Sequence, residues 1–325
     1  MTTRLFAQAR QTTILNALIG FILLVGGVAL RAETGVSETD LRAARAHWLA
    51  ADAVAWAAPA DASVRLHYST AAALRPGPSG ITGGEALELA RDGVVDGSLA
   101  ARFPHLAGLP LFRLQRDDLD RVPAVLKSQF AVGATRGGEL LAATALQPAG
   151  ALDDLFTFTG ELGTTFAEGV PHFRLWAPTA RSVTLLLFDD AEPSSAPVHA
   201  LPMAFDAGSG TWSLNGDADW NGKYFLFEVE VFVRRTGRIE RNRVTDPYSL
   251  GLSTDSRRSL IVDLADSDLA PPGWSEVEKP PLDAPEDIVL YELHVRDFSI
   301  DDASVPPAHR GTFAAFTDPD TAGMQ

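Results

Sequence analysis

Cysteine is absent from all 325 residues. Disulfides, thiolate nucleophiles, thiolate-bound zinc and lipid attached through sulfur are therefore excluded. Positive charge is also in short supply, with 27 Lys and Arg against 42 Asp and Glu and a formal charge of −15. That surplus repels nucleic acid and anionic lipid, and it leaves a neutral polymer such as a polysaccharide as a compatible partner. The seven histidines never fall at metal-ligand spacing, so no imidazole metal site and no cofactor is expected. The chain has no phosphate-binding Gly-Lys-Ser/Thr loop, no Gly-x-Gly-x-x-Gly, no Gly-x-Ser-x-Gly elbow and no His-Glu-x-x-His. Nucleotide, serine-hydrolase and zinc-protease chemistries lose their usual signatures with them.

What is present begins with Arg4 and Arg10, followed by a nearly unbroken apolar run over 14–30 and small residues at Ala29 and Ala32. Residues 1–32 read as an export signal, with an uncleaved membrane anchor as the alternative because the run is close to the shortest spanning length. The expected location is periplasmic, cell-surface or secreted, and membrane contact is expected only through that segment.

Residues 35–165 read as a β-rich domain. Ser37-Glu38-Thr39-Asp40 has capping-box spacing, and Leu41, Ala44, Trp48 and Leu49 follow at helical intervals, which predicts a helix over 38–49. Strands are expected at 52–56, 63–69, 125–132 and 139–146, with a brief helix at 83–91. Trp48 and Trp56 are assigned to the core. A further unit spans 168–270, where short alternating strands at 172–177, 182–188, 211–214, 223–233 and 259–262 are separated by Gly208-Ser209-Gly210, Asn215-Gly216 and Asn221-Gly222. Such spacing is the pattern of an immunoglobulin-type β-sandwich. Pro271-Pro272-Gly273 and Lys279-Pro280-Pro281 mark a stiff linker over 271–286. The expected fold is thus mainly β, with tandem β-sandwich-like domains.

Several runs resemble a known family in order along the chain. Phe173-Arg174-Leu175-Trp176-Ala177-Pro178-Thr179-Ala180 resembles the opening strand of the family 48 carbohydrate-binding module, and Thr245-Asp246-Pro247-Tyr248-Ser249 resembles its closing turn. Tyr291-Glu292-Leu293-His294-Val295-Arg296-Asp297-Phe298-Ser299 resembles the first strand of the (β/α)8 barrel in pullulanases, and 311–317 resembles the segment after it. The stretch 44–56, with Leu152-Asp153-Asp154-Leu155, is similar to the domain that precedes the module in bacterial pullulanases. The resemblance implies the N-terminal portion of a pullulanase-type α-1,6-glucosidase, with the start of a truncated catalytic barrel at 287–325.

It further implies retaining hydrolysis by an aspartate nucleophile and a glutamate acid, a pair about 5 Å apart. In the family these residues end barrel strands that would lie beyond Gln325. No catalytic residue is assigned, and the chain alone is expected to be inactive. The implied partner is an α-glucan: pullulan, amylopectin or glycogen. Calcium, carried by some relatives, is possible in the full-length enzyme, although Asp301-Asp302 reads as an exposed loop.

Within this frame Trp212 and Trp220 are the candidate substrate-binding residues, since an indole face suits the C–H side of a sugar; packing in the sandwich core is the other reading. Lys223 sits in a turn. Asp246-Pro247-Tyr248 is expected to shape a turn and pack the module on the barrel. Glu292 and His294 are expected to form an interior hydrogen-bonding pair of a barrel strand, and Asp297 to anchor the next loop. Two other functions remain open: a non-catalytic α-glucan-binding protein, and an envelope-anchored interaction protein.

Overall fold

Residues 35–324 are described by a computed structural model, so the segment 1–32 read as a signal or anchor lies outside the described residues. The chain divides into one unit through Leu264 and another from Ala265.

The first unit opens with β1 (Ala44–Ala50), β2 (Ala53–Ala55) and β3 (Ser63–Ser69), then a small hairpin of β4 (Arg75–Gly77) and β5 (Gly80–Thr82). Next come β6 (Glu85–Val94), β7 (Pro110–Leu114), β8 (Gln129–Arg136) and β9 (Glu139–Gln147). The order β1-β2-β7-β6-β3-β8-β9 closes on itself, because β1 pairs antiparallel with β2 on one side and parallel with β9 on the other. This is a closed seven-stranded barrel rather than the sandwich expected over 35–165. The reason is the β1–β9 pairing, which joins the chain's first and last strands here and leaves no free sheet edge. No local pattern encodes it. Trp48, Val54, Leu66, Leu87, Phe112, Val132 and Leu146 fill the core.

The helix expected over 38–49 is instead a turn followed by β1. Ser37 does use its backbone N–H and its hydroxyl on the Asp40 carboxylate, at 3.0 and 2.9 Å. That closes a turn, and strand neighbours on both sides then outweigh a modest helical preference. The helix expected at 83–91 is likewise strand β6, set between β3 and β7. Leu87 and Leu89 point into the core while Glu88 faces out to Arg65 at 2.6 Å. The first part of the strand expected at 125–132 is helical, as Val122–Leu126.

The sandwich contains β10 (Gly163–Ala167), β11 (Val170–Trp176), β12 (Ser182–Phe188), β13 (His199–Pro202) and β14 (Ala204–Asp206). It continues with β15 (Thr211–Asn215), β16 (Tyr224–Val233), β17 (Arg238–Val244), β18 (Gly251–Leu252) and β19 (Ser259–Leu260). One sheet runs β10-β11-β15-β14; the other runs β13-β12-β16-β19-β18, with β17 also paired to β16. Phe173 and Leu175, then Val183, Leu185 and Leu187, then Phe225 and Phe227 alternate inward from their strands to make the core between the sheets. This is the sandwich that the even strand spacing predicts.

β16 and β17 form a long hairpin in register from Phe227↔Val244 to Val233↔Arg238. Its outward rungs are ion pairs: Arg241 meets Glu230 and Arg243 meets Glu228, each at 3.0 Å.

The unit from Ala265 carries only short helical turns and the helix Val295–Ser299, with no strand among its described residues. The expected barrel strand is therefore not formed. Val289, Leu290 and Tyr291 are 92, 90 and 79% exposed, and Val295 onward is helical. A strand exists only through ladder bonds to neighbours, and no strand lies beside this run among the described residues of the unit. Glu292 and His294 are accordingly exposed and do not form the interior pair expected of them. His294 and Arg296 instead lie 3.8 and 3.4 Å from Asp297. The unit has its own small core, in which Phe298 stacks on Phe316 at 4.4 Å.

Candidate functional site

Trp212 sits on β15 between Leu175 of β11 and Phe205 of β14, and it is 6% exposed. Its indole N–H donates to the Ala177 carbonyl at 3.0 Å, which satisfies the one polar atom that burial would otherwise strand. Trp220 ends the helical turn Ala218–Trp220, is 5% exposed and packs beside Phe173. Gly216 lies over its ring so closely that a Cβ there would be 2.6 Å from an indole carbon. Both rings are enclosed by protein, and neither turns an open face to solvent.

Lys223 is held by carboxylates, 3.4 Å from both Asp189 and Asp219. Asp246 is 3% exposed and shapes the turn after β17: its Oδ1 accepts from the Tyr248 N–H at 2.8 Å, and its own N–H donates to the Ser259 hydroxyl at 2.9 Å. Burial pushes this carboxyl above the ordinary aspartate range. Tyr248, next in the motif, is 54% exposed.

The distinctive geometry lies where barrel and sandwich meet. Trp176 donates its indole N–H to the Phe156 carbonyl at 3.1 Å, and Arg181 reaches the Thr70 carbonyl at 2.6 Å. Two cavities open along this seam, on either side of Arg42 and Phe232. One, of about 520 Å³, has polar walls that include Glu38, Arg75, Gln129 and Arg238. The other, of about 640 Å³, has an apolar floor that includes Phe130 and Phe232, and Arg234 and Arg235 also line it. Sequence reasoning missed the seam, because its walls come from stretches nearly two hundred positions apart. The one visible signal was Arg234-Arg235-Thr236-Gly237-Arg238, a basic turn in an acidic chain.

Two family models match in tandem: the pullulanase N2 domain over residues 43–154, and carbohydrate-binding module 48 (isoamylase N-terminal domain) over 161–249. The first covers the barrel and the second covers the sandwich from β10 through β17. The chain thus carries a pullulanase N2 domain followed by a carbohydrate-binding module 48.

The chain is 36% identical to the chloroplastic pullulanase 1 of Arabidopsis thaliana over 288 residues, which is 86% of this chain and 29% of that protein. It is 33% identical to the pullulanase of Klebsiella pneumoniae over 306 residues, or 91% of this chain and 27% of that protein. The crystal structure of PulA from Klebsiella oxytoca superposes with a TM-score of 0.80 at 32% identity, over 91% of this chain and 28% of that one. The K. pneumoniae pullulanase complexed with maltotriose does so with a TM-score of 0.80 at 31% identity, over 91% and 28%. The chain is a homologue of the N-terminal region of pullulanases, and it spans less than a third of the length of these relatives.

Proposed function

We propose that the chain serves as the N-terminal, glucan-engaging part of a starch-debranching glycoside hydrolase that cleaves α-1,6-glucosidic bonds. The observation that carries this reading is the order of a pullulanase N2 barrel and a family 48 sandwich, at 33–36% identity to proteins that are themselves pullulanases. The maltotriose complex of a structural relative supports an α-glucan as the partner. Pullulan, amylopectin and glycogen are the polymers to test. The retaining carboxylate pair belongs, in this reading, to a catalytic barrel that the chain precedes. The arginines and apolar run within 1–32 support export of the protein.

Affinity electrophoresis in gels containing amylopectin is the direct test, with retardation of the chain expected. Migration unchanged by the polymer would remove the glucan-engaging role. The same preparation is expected to release no reducing sugar from pullulan, and measurable release would overturn the division of labour proposed here.

A further inference from the structure

The larger seam cavity combines an apolar floor with a rim of guanidinium groups, and no carboxylate is among its described lining residues. In a chain with 42 acidic residues that is an unusual place to find arginines. The contrast lies within one hairpin. Arg241 and Arg243 each have a glutamate 3.0 Å away, whereas the side chains of Arg234 and Arg235 make no ion pair or hydrogen bond among the described residues.

The turn that presents them is well defined. The Gly237 N–H donates to the Val233 carbonyl at 2.8 Å, and the Thr236 hydroxyl donates to the same oxygen at 3.2 Å. Gly237 has φ +72°, a left-handed conformation that suits glycine, and the Arg42 guanidinium lies in ordinary contact distance of the turn there. Arg42 is fixed from behind by Glu38 at 3.8 Å, which also holds Arg75 at 3.1 Å.

Clustered like charges repel one another, and a bound oxyanion relieves that repulsion. The planar guanidinium fork matches phosphate oxygens two at a time. A bare phosphate ion would engage the rim alone and leave Phe130 and Phe232 uncovered. A sugar ring supplies the missing part, because its C–H face packs on an aromatic floor while its substituents reach the rim. The volume suits a ligand of oligosaccharide size.

Resting on the glucan-engaging reading above, we propose that this seam cavity binds a phosphate monoester carried on an α-glucan, with Arg42, Arg234 and Arg235 on the phosphate and Phe130 and Phe232 beneath the sugar. The site is built jointly by barrel and sandwich, and it is separate from the enclosed Trp212 and Trp220.

The test compares the full chain in gels containing phosphorylated amylopectin and in gels containing the same polymer after phosphatase treatment. The expected result is about tenfold tighter retention by the phosphorylated polymer, the scale of one or two charge-assisted hydrogen bonds. The double variant R234Q/R235Q, folded as judged by an unchanged melting curve, is expected to lose that difference while keeping retention by the dephosphorylated polymer. Equal retention of the wild type by both polymers would overturn the phosphate site and leave the glucan-engaging reading standing. Loss of all retention in the variant would also overturn it, because the arginines would then serve neutral glucan. Competition by inorganic phosphate as effective as competition by a maltodextrin phosphate would overturn the part assigned to the sugar.

Discussion

The ammonium of Lys127, in the barrel domain, stands 3.4 Å from the centre of the Phe205 ring and 5.4 Å from that of Trp212, both in the sandwich. This cation–π contact ties the two domains at a point where both partners are half-buried, so the attraction is poorly screened. Lys127→Met keeps the stem and removes the charge. A double-mutant cycle with Phe205→Leu is expected to give a coupling of about 1–2 kcal/mol in urea unfolding. Additive single and double variants would show that the contact contributes packing alone.

A steric contact within the barrel domain gives a second test. Gly150 lies in the helix Ala149–Leu155, and a Cβ there would come 2.5 Å from the Leu49 carbonyl oxygen and 2.7 Å from its Cα. Both obstacles are backbone of β1, which is fixed by its ladders to β2 and β9, so neither yields easily. Alanine is the better helix former by about 1 kcal/mol. Gly150→Ala is nevertheless expected to destabilise the protein by about 1–3 kcal/mol, the range for overpacking. A melting temperature at or above wild type would show that the helix can shift away from β1.

What the sequence made legible follows from where the decisive interactions lie. Ser182–Phe188 could be read as a strand because Ser182 and Thr184 alternate with Val183 and Leu185 before a short apolar run, and that signal is local. Trp48 and Trp56 could be placed in a core for the same kind of reason, and they are 0% and 5% exposed. Glu85-Ala86-Leu87-Glu88-Leu89-Ala90-Arg91 was illegible: it is rich in helix formers, yet β3 and β7 flank it and make it a strand. Barrel closure was invisible for the same cause, since Ala44 and Ala145 pair across about a hundred positions with no local mark of it. The run from Tyr291 was recognisable by its residues, but recognition does not supply the neighbours a strand requires. The seam cavity shares the barrel's problem, as Arg42 and Arg235 line one cavity only once both domains are folded.

The enclosed tryptophans give a prediction that separates packing from sugar contact. Trp220→Ala and Trp212→Ala each leave a large void between the sheets, and Trp212→Ala also removes one of the two N–H donors to the Ala177 carbonyl, the other being that of Ala180. Each is expected to cost about 3–5 kcal/mol. Retardation by amylopectin should fall only as far as the folded fraction falls, which circular dichroism on the same samples would report. A variant that stays folded and loses retardation would show that the indole meets the sugar.

His67 provides a pH-dependent test of the barrel itself. It lies on β3 between Ala86 of β6 and Ala131 of β8, and it is 9% exposed. Burial, aided by the charge of Arg65 and opposed by that of Glu88, drives its imidazole down from 6.5 to about 4. Between those values the unfolded chain takes up a proton that the folded chain refuses. Stability therefore rises with pH across this window: it is complete above about pH 6.5 and is lost as the pH falls toward about 4. The loss from this one residue is at most about 3 kcal/mol. His67→Leu has no proton to take up, so its urea midpoint is expected to change less than that of wild type between about pH 7 and about pH 4.5. Parallel slopes for the two proteins would mean that water reaches the imidazole and that β3, β6 and β8 do not enclose it.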